Sequence, residues 1–249
     1  QLLEMMGNAA AVTDRSFAVP DGVNNGQYGV GIVIDFFGLA GKYSGFPVDF
    51  VYPSMTSVVP ANIALIAGGK NPDEAKKFMA FSMSTEGQQL LFDPKISRLP
   101  ILPYSQLKAP AGYPDPQEVA KRAKVQFDAN LSEARYQVVT SLFDQMVTFR
   151  LKELQGATKA IQDAEKALKA KPNARGSDLV KQARALAYTP LVGAENVKNE
   201  QFLELFRKSR RDVEVSKQLS GQEQLWANKA RENYARAQQL ATEARGLAK

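Results

Sequence analysis

"GVGIVIDFFGLAGKY", residues 29–43, is an apolar run that stops on an acid and resumes through two phenylalanines. Extended by one residue at its start, "YGVGIVID" (28–35) has the length of a strand and no polar interruption. That is the pattern of a strand covered on both faces, as in a sheet flanked by helices. "VDFVYPS" (48–54) reads as a second strand, stopped by Pro53. "SVVPANIALI" (57–66) reads as a third, although Pro60 places it at an edge or makes it partly irregular. Before them, "VPDGVNNG" is a turn-rich loop or a short helix opening. On this reading the first part of the chain holds a sheet.

Helices follow. Asn71 has an N-cap residue type, Pro72 suits the first helical position, and Asp73 and Glu74 favour the positive helix start. Ala75, Phe78, Met79 and Phe81 give that helix an apolar face. A second helix is expected from Ser84 to just before Pro94. "RLPILPYSQLKAPAGYPDP" is proline-rich and reads as a linker, and from about Pro116 the chain turns helical. Within 131–151, Leu131, Ala134, Val138, Val139, Leu142, Phe143, Met146 and Phe149 recur at three- and four-residue steps. The pattern continues through 151–172 and 177–188. In the last ~50 residues Trp226, Leu240 and Leu247 lie at multiples of seven, beside a series of Ala230, Ala237 and Ala244. Packing of this helix on its own protein through small residues is the simpler reading, and an intermolecular coiled coil is the other.

The chain of 249 residues contains neither cysteine nor histidine. Thiolate chemistry, disulfides, histidine-based triads and the common zinc ligand sets are therefore excluded. Charge is uneven: residues 1–104 hold seven Lys and Arg against nine Asp and Glu, and residues 105–249 hold 25 against 17. The basic residues of the second part alternate with Glu, Asp and Gln on helical patterns, the mark of a solvated helix face. No nucleic-acid-binding motif accompanies them, so nucleic acid is not an expected partner. No run of ~18 apolar residues occurs. The opening "QLLEMMGNAAAVTDRSF" lacks a basic start followed by an apolar stretch and reads as the middle of a protein.

The segment "VVPANIALIAGGKNPDEAKKFMAFSMSTEGQQLLFDPKISRLPILP" resembles bacterial extracellular solute-binding proteins of ABC transporters. The likeness is to the branch that holds ferric-iron, hexose-phosphate and phosphoglycerate binders. Its markers are a strand, a "KNP-x-x-A-K-x-F" helix, an "S-x-E-G-Q-x-L" helix and an "R-x-P" turn, in that order. "RSFAVPDGVNNGQYGVGIVIDFF" upstream resembles a second-lobe segment of the same family. The resemblance covers roughly 12–104 and implies an α/β fold of periplasmic-binding-protein-like lobes, incomplete because the N-terminal part is missing. An all-α C-terminal extension follows. The division expected is 1–104 for the C-terminal portion of the solute-binding domain and 105–249 for the helical extension.

In open α/β sheets ligands sit beyond the carboxyl ends of strands, so Asp35 is where a contact is expected. Asp35 can equally cap the following helix. Ferric-iron binders of the resembled family carry adjacent tyrosines here, whereas this chain has Phe36 and Phe37, which lack donor atoms; Tyr28, Tyr43 and Tyr52 stand singly. Iron transport is thus the alternative rather than the leading reading, and no cofactor or metal is expected. A phosphate needs converging backbone N–H groups, hydroxyls and an arginine. The ligand-binding set expected on this basis is Arg15, Ser16, Asn25, Asp35, Ser54, Thr56 and Ser57, with Arg15 equally able to pair with Asp14. Asp35 would accept hydrogen bonds from ligand hydroxyls. Two departures from the hexose-phosphate pattern, Ile34 in place of a histidine and Ser54–Met55 in place of an acid, point to a smaller ligand such as phosphoglycerate.

The expected function is a periplasmic solute-binding protein that captures a small organic phosphate by hinge closure. It would present the ligand to an ABC permease or a membrane histidine kinase, its missing N-terminal lobe completing the cleft. A helical protein-interaction module over 105–249 is the competing class. Enzymatic activity is not expected, since acid pairs such as Asp14 with Asp21, or Asp35 with Asp49, have nothing to fix their separation.

Overall fold

The computed structural model describes residues 1–53, 56–59, 61–123, 126–193, 195–208 and 210–248. In chain order the helices are α1 (Leu2–Met6), α2 (Ala18–Asn24), α3 (Asp35–Tyr43), α4 (Pro72–Met83), α5 (Thr85–Gln89) and α6 (Pro116–Arg122). Then come α7 (Ala129–Met146), α8 (Leu151–Ala170), α9 (Ala174–Tyr188), α10 (Glu200–Arg207) and α11 (Val213–Leu247). The chain forms two compact units, one of Gln1–Val12 with Ala129–Lys249 and one of Thr13–Asp128.

Among the described residues every regular element is helical and no strand forms; Thr56 and Ala123 make one isolated parallel bridge. The expected α/β architecture with periplasmic-binding-protein-like lobes is therefore overturned: the protein is all-helical. The described residues of the three runs, 28–34, 48–53, 57–59 and 61–66, are extended or irregular chain without a ladder, and Asp35 opens α3. A strand exists only where a neighbour takes up its N–H and C=O groups, and sequence length and apolarity say nothing of that neighbour. In the 29–34 run, Val30, Ile32 and Ile34 are 87%, 65% and 57% exposed, so one side of the run is bare. The other side rests on α2. A Cβ at Gly31 would lie 2.7 Å from Val19 and 2.9 Å from Val23, so only glycine lets the chain approach this closely.

Helical expectations fare differently. α4 begins with Pro72 at its first position, after Asn71. Ser84 caps α5, its Oγ accepting from the Gly87 N–H at 3.1 Å. In the helical unit α8, α9 and α11 share one core that includes Leu154, Ile161, Leu168, Val180, Tyr234 and Leu240. Ala230, Ala237 and Ala244 of α11 are fully buried in it. The seven-residue alanine series is thus an intramolecular seam, where small side chains let helix backbones approach. Trp226 belongs to a neighbouring cluster, stacked on Phe206 of α10 at 5.4 Å between ring centroids and packed near Val138 of α7. Asn173, Asn199 and Asp212 cap α9, α10 and α11. The short α1 joins this unit from far upstream: Leu3 enters the core, Glu4 pairs with Arg184 at 2.6 Å, and Gln155 donates to the Ala9 carbonyl at 2.7 Å.

The Thr13–Asp128 unit has a smaller core of Leu39, Phe92, Leu107 and Tyr113, with Tyr43, Phe50 and Tyr104 against it. Its rings meet edge to face, Phe92 lying 5.0 Å from Tyr113 and 5.6 Å from Tyr104.

Candidate functional site

A cleft of about 1060 Å³ lies within the Thr13–Asp128 unit. Its walls are the 29–34 run, the start of α3, the extended chain around Phe50 and Tyr52, residues 56–59, and Arg98 with Leu99. Most of the lining is apolar, so the few polar groups decide what it can hold.

Asp35 is the first residue of α3, and Ile34 rather than Asp35 occupies the cap position. The carboxylate still sits where the helix start is electropositive. Its Oδ1 accepts from the Phe36 N–H at 2.8 Å and its Oδ2 from the Tyr52 hydroxyl at 2.9 Å. Burial pushes the Tyr52 phenol far above its ordinary pKa, and the Asp35 charge and hydrogen bond push it further. Tyr52 therefore stays a neutral donor at physiological pH, and Asp35 keeps a lone pair on each oxygen for an incoming hydroxyl.

Of the expected site residues, the cleft brings together Asp35, Thr56 and Ser57. Ser54 lies outside the described residues. Arg15 and Ser16 are exposed and do not line the cleft; Arg15 lies 4.0 Å from Asp14 and 5.9 Å from the centre of the Phe17 ring. Asn25 follows the last residue of α2 and is exposed, whereas its neighbour Asn24 does line the cleft. Phe36 and Phe37 pack on each other with centroids 4.5 Å apart. Among the described residues no three Asp or Glu side chains gather in a metal-binding group.

Arg98 went unassigned in the sequence, where it served only as a landmark of the "R-x-P" turn. Its guanidinium lies 3.8 Å from the centre of the Phe36 ring. The backbone that delivers it is tightly held. Buried Ser97 adopts φ 48°, a left-handed conformation that costs a non-glycine residue about 1 kcal/mol. The Arg98 N–H donates to the Leu91 carbonyl at 2.9 Å, and its own carbonyl accepts from the Tyr113 hydroxyl at 3.4 Å.

Comparison with known proteins finds two similar curated proteins. They are the phosphoglycerate transport regulatory protein PgtC of Salmonella typhimurium (strain LT2) and the protein of the same name from Salmonella typhi. Each is 31% identical to the chain over 169 residues, 68% of this chain and 41% of the relative. The chain thus spans about two fifths of the length of these curated relatives. No family model matches it, and no solved structure does.

Proposed function

We propose that this protein takes part in regulating phosphoglycerate transport, and that the cleft beside α3 captures a small organic phosphate. The similarity to PgtC over 68% of the chain carries the reading. The cleft supports it: a carboxylate held by a neutral tyrosine stands ready for a ligand hydroxyl, and Thr56 and Ser57 line the same cleft. A site built to hydrogen-bond a hydroxyl rejects analogues that lack it. The finer proposal is that the protein works in the periplasm by closing around its ligand. Contacts made only in the closed form would shift the population toward it, and an ABC permease or a membrane histidine kinase would read that form. The role is binding and relay, without turnover.

Thermal unfolding of the full chain against 3-phosphoglycerate, 2-phosphoglycerate, phosphoenolpyruvate, glucose 6-phosphate, inorganic phosphate and Fe(III) tests the proposal. A ligand at 100 times its dissociation constant stabilises the folded state by about 2.7 kcal/mol. The expected result is a shift with a phosphoglycerate that Asp35→Ala abolishes. A flat panel, or a shift with Fe(III) alone, overturns it.

A further inference from the structure

We infer that Arg98 is the anion anchor of this cleft: stacked on Phe36, it seats the phosphate of a small phosphomonoester whose hydroxyl faces Asp35. The inference rests on the proposed role in phosphoglycerate transport and adds the ligand's orientation and the residue that selects for phosphate.

The arrangement of charge is what carries it. Among the described residues Arg98 makes no ion pair; its guanidinium carbon lies over the Phe36 ring instead. A guanidinium laid on a ring keeps its in-plane N–H fork free, and that fork matches two phosphate oxygens. The ring limits the side chain's rotamers, and the hydrogen bonds on both sides of the Arg98 backbone fix its root, so little freedom remains to be lost on binding. Both Asp35 oxygens already hold a donor, Phe36 N–H and Tyr52 O–H. Asp35 can accept a hydroxyl but repels a phosphate, and Arg98 has the opposite preference. The cleft therefore offers two opposite preferences, and the neutral hydroxyls of Thr56 and Ser57 that line it suit either group of a ligand. A compound with a phosphate and a free hydroxyl satisfies both residues. Glycerate lacks the first, and phosphoenolpyruvate lacks the second.

Calorimetric titration of the full chain with 3-phosphoglycerate, glycerate, phosphoenolpyruvate and inorganic phosphate, at two salt concentrations, provides the test. Arg98→Gln is expected to weaken 3-phosphoglycerate by about 10- to 100-fold, the range for a charge-assisted hydrogen-bonded contact, and to flatten the salt dependence. Weak binding of glycerate should be unchanged. Arg98→Lys should recover part of the affinity, and Phe36→Leu should fall between the original and Arg98→Gln. Unaltered thermal unfolding of the variants separates loss of binding from loss of fold. Binding of 3-phosphoglycerate that survives Arg98→Gln overturns the anchor and leaves the transport reading intact. Binding of inorganic phosphate but not 3-phosphoglycerate, lost in Arg98→Gln, overturns the transport reading and upholds the anchor. No binding of either overturns both.

Discussion

Tyr234→Phe removes one oxygen atom from the middle of the helical unit, and the structure fixes what should follow. Tyr234 on α11 is 1% exposed, and its hydroxyl donates to the Met146 carbonyl at 2.7 Å. Met146 ends α7, where carbonyls lack the donors that a continuing helix would supply. Phenylalanine keeps the ring and its packing but removes the hydroxyl that donates to that carbonyl. An unsatisfied buried acceptor costs about 1–3 kcal/mol. Taking roughly 2 kcal/mol, Tm should fall by roughly 4–8 °C for a protein of this size. The loss should also depend on pH. Burial raises the Tyr234 pKa above the ordinary 10.0, with Arg150 pulling the other way. A raised folded pKa means that the phenol's contribution is full below pH 10 and is lost as pH rises through the folded value. Calorimetric melting at neutral pH and above pH 10 should therefore show a gap between original and variant that narrows in alkali. An unchanged Tm, or a gap constant across that range, would refute the assignment of the hydroxyl as a carrier of stability.

Ile161→Ala, at a fully buried position of α8, should cost about 2–5 kcal/mol in denaturant unfolding. Phe149→Ala, at an exposed position nearby in sequence, should stay within about 0.5 kcal/mol of the original. Asn173→Ala removes the acceptor for the Gly176 N–H at the start of α9 and should cost about 0.5–2 kcal/mol by the same assay, while Asn173→Ser should recover most of it. In the other unit, burial and the neighbouring Tyr43 push the Tyr113 phenol up to about 12 from 10.0. Its contribution is full below pH 10 and fades toward pH 12, so Tyr113→Phe should reduce the alkaline sensitivity of that unit, followed by phenolate absorbance.

The helical part was legible because its signal is local. Three- and four-residue apolar spacing marked α7 to α9, and the alanine series of α11 marked the seam by which it packs. The apolar runs at 28–35 and 57–66 carried no comparable information, since a run of that length does not reveal whether a neighbouring chain takes up its backbone groups. Asp35 stood out as an acid at the end of an apolar run. Its bond to Tyr52 depends on how the intervening helix and extended chain return, and spacing does not encode that path. Arg98 was hidden for the same reason: its partner Phe36 is distant in sequence, and the turn at Ser97 that aims it uses a residue type with no special preference for φ 48°. The pairing of Glu4 with Arg184, 180 positions apart, lies beyond any local pattern.

That pairing has a consequence for how the chain acquires its shape. The helical unit is assembled from two stretches with Thr13–Asp128 between them. On a ribosome, α1 emerges before the rest of the helical unit and must wait until α8 and α9 have been made before its docking surface exists. α8 and α9, joined by a short turn, can pair as soon as both are made, so α1 docks after the local hairpin has formed. The entropy of closing that loop rises only with the logarithm of its length, about 0.6 kcal/mol for each doubling. The intervening unit can thus lengthen, shorten or be replaced over evolutionary time with little penalty to the bundle, provided that α1 still returns to its groove.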